Sequence, residues 1–229
     1  SVLRRSALER IRATPASLES DVLPALAAQG RLYGRAYDGV FIDIGVPADL
    51  AAAGAVMSGV WRRPAAFLDR DGVLNVDRGY VHRPDQIEWI PGAKAAVKRF
   101  NDAGCLVFVI TNQAGVARGY YSEQHVRDLH GWMAQELQAV GAHVDGFQYC
   151  PYHPEGTVPA YRRVSESRKP APGMLMECAR RWPVDMSRSF LIGDKELDMA
   201  TAAAAGIPGY LFAGPDLLDF TERLALPRR

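Results

Sequence analysis

The sequence predicts an α/β fold, in which a parallel β-sheet is covered by helices on both faces in a three-layer, Rossmann-like arrangement. From Pro64 onward, short segments that are apolar throughout alternate with helical segments. Strands of continuous apolar residues are typical of parallel sheets buried on both faces. With 229 residues, the chain is long enough for one sizeable core, or for one domain and an appendage.

The first 60 residues are expected to form a separate, smaller region. A short helical segment opens the chain, and VFIDI at 40–44 predicts a strand. PADLAAAGAVM predicts a helix with Pro47 near its start, where proline is tolerated. WRRP at 61–64 marks the boundary, so we expect one region over 1–60 and a larger domain over 61–229.

The larger domain opens with a strand, a helix and a second strand. AAFLD at 65–69 predicts a buried strand. The segment 92–104 predicts a helix that stops at Gly104, a residue common after helix ends. CLVFVIT at 105–111 predicts the next strand.

The same alternation continues to the end of the domain. A helix is predicted over 122–141, with Ser122 as its N-cap and Gly141 as its stop. The remaining predicted strands are 147–150, 189–193 and 209–212, and the remaining helices are 173–182 and 195–205.

The composition excludes several classes of partner. The 27 basic and 26 acidic residues leave a net charge of +1, which gives no field for nucleic acid or a membrane surface. The three cysteines are odd in number and far apart, which argues against a disulfide framework and for a reducing setting. The first 12 residues do not resemble a signal peptide, and no apolar run could span a bilayer. We therefore expect a cytoplasmic protein.

Polar side chains follow three of the predicted strands. Asp69 and Asp71 follow the first, Thr111 ends the second, Asp194 follows the fourth, and Lys169 lies between these sites. Ligands of such sheets bind at the carboxyl ends of the strands, so these side chains are expected to converge there.

This set of side chains indicates phosphoryl chemistry. Carboxylates held close together need a cation, or one of them must take up a proton. Oxygen ligands suit magnesium, which also binds substrate phosphate. Lys169 and Thr111 can donate hydrogen bonds to phosphoryl oxygens, while one of Asp69 and Asp71 acts as nucleophile and the other as acid and base. Each of these short motifs, taken alone, has a plain structural interpretation, since a lone DxD is more often a turn or a solvated pair. Their occurrence together, each after an apolar strand and with Lys169 between the second and third, favours a functional site.

Four segments of the chain match known motifs. They are FLDRDGVLN (67–75), VITNQAGVARG (109–119), RKPAPGM (168–174) and LIGDKELDM (191–199). They resemble the motifs of the haloacid dehalogenase superfamily of phosphatases. The residues in and around them are more similar still to the D-glycero-D-manno-heptose 1,7-bisphosphate 7-phosphatase branch, with histidinol-phosphate phosphatase domains as near relatives. The resemblance covers roughly residues 64–214 and implies a domain without a large cap.

The resemblance implies roles by position. Asp69 would attack phosphorus and form an aspartyl-phosphate, and Asp71 would protonate the leaving alkoxide and then activate water. Thr111 and Lys169 would stabilise the phosphoryl group. The substrate-contacting positions of the family correspond to Asp77, Arg78, Gly79, Tyr80, Asn112, Gln113, Ala114, Arg168 and Lys195.

The resemblance also implies a magnesium ion, held by Asp69, the backbone carbonyl of Asp71, and Asp194, with Asp198 behind these ligands. An aspartate at position 71 points to phosphate monoester hydrolysis, because dehalogenases need no such acid and P-type ATPases carry threonine there. The resemblance implies that the enzyme removes the 7-phosphate from the heptose bisphosphate, as a step in the biosynthesis of nucleotide-activated heptose. Alternatives are a histidinol-phosphate or other polyol-phosphate phosphatase, and a non-catalytic partner domain of a sugar nucleotidyltransferase.

The amino-terminal segment 17–53 resembles the carboxyl-terminal end of sugar-nucleotide transferases, especially heptose-1-phosphate guanylyltransferases. Asp43 matches a metal-binding aspartate of that family, but the nucleotide-binding start is missing, so Asp43 is expected to bind no ligand here. The segment is either the end of a cut transferase or a packing remnant. A fused or associated transferase that consumes heptose 1-phosphate would favour the α anomer of the substrate.

The loop CPYHPEGTVPAYRRVSESRKP at 150–170 resembles a zinc loop that has lost its ligands. In the family one Cys, one His and two further Cys hold the metal, and these positions are Cys150, Tyr152, Ser165 and Ser167 here. Structural zinc sites need four soft or borderline ligands, so we predict no zinc. Cys150 is then expected to be a small buried residue, and His153 a loop histidine with a local hydrogen bond.

Other features must then order this loop. Its prolines lower the entropy of the unfolded chain. Glu155 and Glu166 can pair with Arg162 or Arg163, but exposed pairs stabilise little.

Overall fold

The computed structural model describes residues 17–33 and 42–225 of the chain. The chain divides into two compact units, Ser1–Ala51 and Ala52–Arg229. The helical segment predicted at the start of the chain lies outside the described residues.

The first unit is helical where it is described. A π-helical turn, Leu18–Val22, leads into helix α1 (Leu23–Ala28), and the side chain of Ser17 caps the turn by accepting from the backbone N–H of Ser20. Val22 and Leu26 are buried in a small cluster of their own.

The strand predicted over 40–44 is wrong in its described part. Ile42–Ile44 leads into a turn, and residues 40 and 41 lie outside the described residues. The side chain of Asp43 accepts a hydrogen bond of 2.9 Å from the backbone N–H of Gly45, and such local bonds compete with sheet formation. The predicted helix that follows is confirmed as α2 (Pro47–Trp61), with Pro47 as its first residue.

The second unit is built on a five-stranded sheet in the order β3-β2-β1-β4-β5. Every neighbouring pair is parallel, which confirms the predicted sheet. The strands are β1 (Ala65–Leu68), β2 (Leu106–Asn112), β3 (Gly146–Cys150), β4 (Phe190–Gly193) and β5 (Gly209–Leu211).

Helices cover both faces of this sheet, so the three-layer prediction is confirmed. Val107 and Val109 of β2 pack in one core with Phe100 and Met133, whereas Phe108 packs in a second core on the other face. The helices are α3 (Ala93–Asp102), α4 (Ala114–Ala117), α5 (Glu123–Gln138), α6 (Gly173–Arg181), α7 (Glu196–Ala204) and α8 (Leu217–Glu222).

The ends of α3 and α5 follow the signals in the sequence. Ser122 caps α5 by accepting from the backbone N–H of His125, and Gly141 follows the helix at a φ of +73°. Gly104 plays the same role after α3 at a φ of +83°. Short α4 and α8 were not predicted. None of the described helices combines the length and apolarity needed to cross a membrane.

Candidate active site

The polar strand ends meet because β1, which carries Asp69 and Asp71 at its end, lies between β2 and β4. The end of β2 adds Thr111, the end of β4 adds Asp194, and the loop before α6 adds Lys169. A cleft of about 230 Å³ opens at this edge of the sheet. It is lined by Asp69, Asp71, Asp77, Gly79, Tyr80, Thr111, Asn112, Gln113, Ala114, Tyr121, Lys169, Lys195 and Leu197.

Asp69 is a buried carboxylate at the bottom of the cleft. Burial raises its pKa to about 7, although the ammonium group of Lys169, 2.8 Å from Oδ2, acts in the opposite direction. Its Oδ1 accepts a hydrogen bond of 2.7 Å from the backbone N–H of Arg70, which fixes the side chain.

Lys169 is a buried cation that bridges two carboxylates. Its Nζ lies 2.8 Å from Oδ2 of Asp69 and 2.6 Å from Oδ1 of Asp198. Burial acts to lower the pKa of Lys169, but the two carboxylates outweigh burial and the pKa is raised, so the amine stays protonated. Asn112 fixes the backbone of Lys169 by accepting from its N–H at 3.1 Å and donating to its C=O at 3.2 Å.

The carboxylate of Asp71 accepts hydrogen bonds from three side chains. The guanidinium group of Arg70 contacts both of its oxygens, with Nη2 lying 2.8 Å from Oδ2. Asn75 donates to Oδ1 at 3.0 Å, and Gln113 donates to Oδ2 at 3.3 Å. Gln113 also donates to Oγ1 of Thr111 at 2.9 Å and accepts from the hydroxyl of Tyr121 at 2.8 Å.

Several of these contacts involve residues that the sequence does not mark as site residues. Arg70 and Asn75 lie inside the first motif and Tyr121 just after the second, so adjacency to a motif was the available signal. The contact of Arg70 with His130 joins residues 60 positions apart, and no local pattern announces it.

Asp194 carries a carboxylate oxygen that no protein group satisfies among the described residues. Its Oδ1 is buried and lacks a hydrogen-bond partner, and burial raises its pKa. A Cβ atom on Gly72, which has a φ of +91°, would lie only 2.2 Å from Oδ2 of Asp194, so only glycine leaves room for this carboxylate.

The acidic group around Asp194 fits magnesium. In the described part of the chain, Asp69, Asp194 and Asp198 form a cluster in which one oxygen of each lies within 4.8 Å of the others. The oxygens of Asp198 already accept from Lys169 and from the backbone N–H of Lys195. Both oxygens of Asp198 therefore have partners within the protein, and the oxygen without a partner belongs to Asp194.

The residues expected to contact substrate divide into two sets. All but two of them line the cleft. Arg78 is exposed and pairs with Glu88, and Arg168 donates to the backbone carbonyl of Tyr152 at 3.2 Å; neither belongs to the lining of the cleft. Lys195 lies 2.8 Å from Oδ2 of Asp77 across the opening.

An aromatic pair stands at the mouth of the cleft. Tyr80 has a φ of +54°, unusual for a residue other than glycine, and its ring packs edge-on against Tyr120 with centroids 4.8 Å apart. Both rings are largely exposed.

In the loop over 150–170, Cys150 is buried and His153 makes a local hydrogen bond, as predicted. Cys150 is fully buried at the end of β3, where burial raises its pKa. His153 accepts a hydrogen bond of 3.1 Å from the backbone N–H of Glu155. The ion pairs of the described residues include none between Glu155 or Glu166 and Arg162 or Arg163. The guanidinium of Arg163 instead lies 3.8 Å from the centroid of the Tyr152 ring.

Glu123, the first residue of α5, ties down this loop. Its two carboxylate oxygens accept from the hydroxyl of Tyr149 at 2.7 Å and of Tyr161 at 2.8 Å. Further support comes from the backbone N–H of Val158, which donates to the carbonyl of Ala117 at 2.9 Å. The loop is therefore fixed to the body of the domain by hydrogen bonds.

Comparisons with known proteins agree with this geometry. Residues 166–214 match the family model described as HAD-hyrolase-like. D-glycero-beta-D-manno-heptose-1,7-bisphosphate 7-phosphatase from Rhodopseudomonas palustris is 53% identical over 165 residues, covering 72% of this chain and 92% of the relative. The enzyme of the same name from Escherichia coli K12 is 44% identical over 144 residues, covering 63% of this chain and 75% of the relative.

A solved structure gives the same result. The D,D-heptose 1,7-bisphosphate phosphatase from B. bronchiseptica, crystallised with magnesium and phosphate, shares 33% identity and a TM-score of 0.60 over 72% of this chain and 88% of its own. The fold and the relatives therefore point to the same family. The chain belongs to the HAD-like phosphatase family that contains the heptose 1,7-bisphosphate 7-phosphatases, and it is a phosphatase.

Proposed function

We propose that this protein is a magnesium-dependent phosphatase that removes the 7-phosphate of D-glycero-D-manno-heptose 1,7-bisphosphate through an aspartyl-phosphate on Asp69. The observation that carries the proposal is the cleft itself, where Asp69, Asp71, Thr111 and Lys169 meet beside an unpartnered oxygen of Asp194. The 53% identity to a phosphatase of that name, over 92% of its length, supports the choice of substrate.

In the first step, a carboxylate oxygen of Asp69 forms a bond to phosphorus while the bond from phosphorus to the C7 oxygen breaks. Asp71, in its protonated form, donates its proton to the leaving oxygen, so heptose 1-phosphate departs as an alcohol. Lys169, 2.8 Å from Asp69, and the hydroxyl of Thr111 are placed to donate hydrogen bonds to the phosphoryl oxygens as charge develops on them.

In the second step, Asp71 acts as a base. Its carboxylate takes a proton from water, and the water oxygen attacks phosphorus while the bond to Asp69 breaks. Inorganic phosphate leaves, Asp69 is regenerated, and Asp71 holds a proton again for the next turnover. Gln113 and Asn75 keep the carboxyl group of Asp71 in one position through both steps.

Magnesium would be held by the carboxylates of Asp69 and Asp194 and by the backbone carbonyl of Asp71. When bound, it neutralises charge on the carboxylates and on the phosphoryl oxygens. The buried oxygen of Asp194 that lacks a partner supports this assignment.

The anomer of the substrate is open to a direct test. The curated relatives are named for the β anomer. The resemblance of the amino-terminal segment to guanylyltransferases instead favoured the α anomer. The relative from Rhodopseudomonas palustris that is named for the β anomer is 53% identical over 92% of its own length. We therefore propose the β anomer as the better substrate.

The experiment is a phosphate-release assay with magnesium on both heptose bisphosphate anomers and on histidinol phosphate, with Asp69→Asn as the inactive control. We expect the highest kcat/KM on the β anomer and loss of turnover in Asp69→Asn. Histidinol phosphate as the best substrate would contradict the substrate assignment, and an active Asp69→Asn would contradict the aspartyl-phosphate. A higher kcat/KM on the α anomer would instead support a role in supplying a guanylyltransferase.

A further inference from the structure

Arg70, between the two motif aspartates, is a fully buried arginine. Its side chain has no exposed surface and does not line the cleft, so it cannot be a substrate ligand. A buried guanidinium group is costly unless it is paired and hydrogen-bonded. The partners of Arg70 therefore indicate what it does.

The main partner of Arg70 is Asp71. Nε and Nη2 of Arg70 both contact the two carboxylate oxygens, at 2.8–3.3 Å, in the forked geometry that arginine forms with carboxylates. On its other side, the guanidinium group is anchored: Nη2 donates to the carbonyl of Val81 at 2.7 Å, and Nη1 lies 3.4 Å from Nε2 of His130.

His130 is itself fixed in place. It is buried on α5, and its ring stacks on Phe147 with centroids 4.6 Å apart. A chain of contacts thus runs from the body of the domain, through His130 and Arg70, to the carboxyl group of Asp71.

We propose that Arg70 is a positioning residue that sets the direction of Asp71, and that His130 acts in turn by holding Arg70. The inference rests on the proposed role of Asp71 as the acid and base of phosphate ester hydrolysis. Arginine suits this task because its planar fork contacts both oxygens, whereas lysine would offer a point charge that leaves the carboxyl group free to rotate.

Such a role has a chemical signature. An alkoxide is a poor leaving group and needs a well-placed proton, whereas dinitrophenolate leaves without one. The kcat/KM value includes only steps up to the first irreversible one, the formation of the aspartyl-phosphate, so the later need for a base does not enter it. Misplacement of Asp71 should therefore lower kcat/KM for alkyl phosphates and spare 2,4-dinitrophenyl phosphate.

The test is kcat/KM of Arg70→Lys on heptose 1,7-bisphosphate, or on another alkyl phosphate that the wild type hydrolyses, and on 2,4-dinitrophenyl phosphate. We expect a loss of about 10–100-fold on the alkyl ester, since general acid catalysis contributes roughly 100–10,000-fold and misplacement removes part of it. The change on the aryl ester should be smaller by about an order of magnitude, because that ester needs no proton.

Three further variants control this result. Asp71→Asn gives the full effect of losing the acid, and Leu137→Ala, in the core on the same side of the sheet, is destabilised without touching Asp71. Leu137→Ala should change both substrates alike. His130→Phe keeps a ring to stack on Phe147 but removes the partner of Arg70, and it should show the same selective loss as Arg70→Lys at smaller size.

The outcomes separate the two proposals. If Asp71→Asn lowers kcat/KM equally for both esters, the acid role of Asp71 is wrong, and with it the proposed mechanism. If Asp71→Asn is selective but Arg70→Lys affects both esters equally, or neither, the inference about Arg70 alone is overturned. If Arg70→Lys does not give a cooperative thermal transition, His130→Phe decides in its place by the same criterion.

Discussion

Gly72 is a single residue whose backbone conformation and lack of a side chain both affect the candidate site. It follows Asp71 with a φ of +91°, and a Cβ atom there would overlap the carboxylate of Asp194. The turn after Asp71 and the position of the Asp194 carboxylate therefore both require glycine at position 72.

We predict that Gly72→Ala lowers the free energy of unfolding by about 1–3 kcal/mol, because alanine is strained at positive φ. It should also raise the magnesium concentration for half-maximal activity by about 10–100-fold, as expected when the support of a metal ligand is displaced. Chemical denaturation and magnesium titration of activity measure the two effects.

Gly141→Ala provides the matched control. Gly141 has a similar φ of +73°, and its added Cβ would meet only Cε of Lys98, at 3.9 Å. It should lose stability and keep the magnesium dependence of the wild type. Equal magnesium dependence in both alanine variants would show that Gly72 does not shape the metal site.

His130 makes the stability of the protein depend on pH. Burial lowers the pKa of His130 to about 3, and the guanidinium of Arg70 acts in the same direction; Tyr149 is the other titratable group near its ring. In the unfolded chain the histidine binds a proton near its ordinary pKa of 6.5. Between these two values the unfolded state holds more protons than the folded state, so stability falls as the pH is lowered through this range.

We predict that the unfolding free energy falls by about 2 kcal/mol from pH 7 to pH 5 through His130 alone. His130→Gln, which does not titrate and keeps an acceptor for Arg70, should lack this part of the pH dependence. The measurement is urea denaturation of both proteins at pH 7 and pH 5. Parallel losses in the two proteins would show that His130 titrates normally in the folded state.

The residues of the site could be predicted from the sequence only where a motif carries them. Asp69, Asp71, Thr111 and Lys169 converge as expected, because each follows an apolar strand or precedes a recognisable helix. Arg70 could not be assigned, because an arginine between two aspartates is usually exposed, and its burial depends on Val81 and His130, which belong to distant elements.

Secondary-structure elements were predicted well where their own residues determine them. The strands of the sheet lie within about two residues of their predicted bounds, the usual uncertainty of element ends, because apolar runs end at polar residues or glycine. Helix α4 has only four residues and depends on its place after β2, so no periodic pattern reveals it. Ile42–Ile44 has the composition of a strand, but composition alone does not supply a partner strand.

The loop over 150–170 is held to the body of the domain by hydrogen bonds from its side chains and backbone. Glu123 receives hydrogen bonds from Tyr149 and Tyr161, and the carboxylate raises the pKa of the Tyr161 hydroxyl by accepting its proton in a hydrogen bond. The bond therefore joins a neutral hydroxyl to a charged acceptor, the stronger kind of hydrogen bond.

We predict that Glu123→Ala lowers the unfolding free energy by about 1–3 kcal/mol, because two hydroxyls lose a charged acceptor. The freed loop should be cut faster by trypsin after Arg162 and Arg163. Gln124→Ala, at the next and exposed position of α5, is the control and should change neither property. Unaltered proteolysis in Glu123→Ala would mean that backbone hydrogen bonds alone hold the loop.

We also predict that the loop binds no zinc. Cys150 and His153 are the only members of a ligand set that would need two more, and the positions of the other ligands carry Tyr152, Ser165 and Ser167. Elemental analysis of protein purified without chelators tests this, with added zinc and Cys150→Ser as comparison. One zinc per chain in the wild type, lost in Cys150→Ser, would contradict the prediction.

At the scale of the whole molecule, all the residues proposed for catalysis lie between 69 and 198, within the second compact unit. The similarity to the phosphatase of Rhodopseudomonas palustris covers 72% of the chain, which leaves room for a region with no part in the chemistry. The backbone of Arg63 bonds to Pro183 and Asp185 just before β1, so the domain has its own anchored beginning after α2.

We therefore predict that residues 61–229 fold and act without the first 60. Deletion of residues 1–60 should leave kcat/KM on the best bisphosphate anomer within about twofold of the full chain, as expected for an autonomous domain. The same deletion carrying Asp69→Asn excludes contaminating phosphatases, and circular dichroism shows whether the shortened chain is folded. A folded, shortened chain that had lost turnover, or had changed its anomer preference, would show that residues 1–60 take part in catalysis or substrate choice.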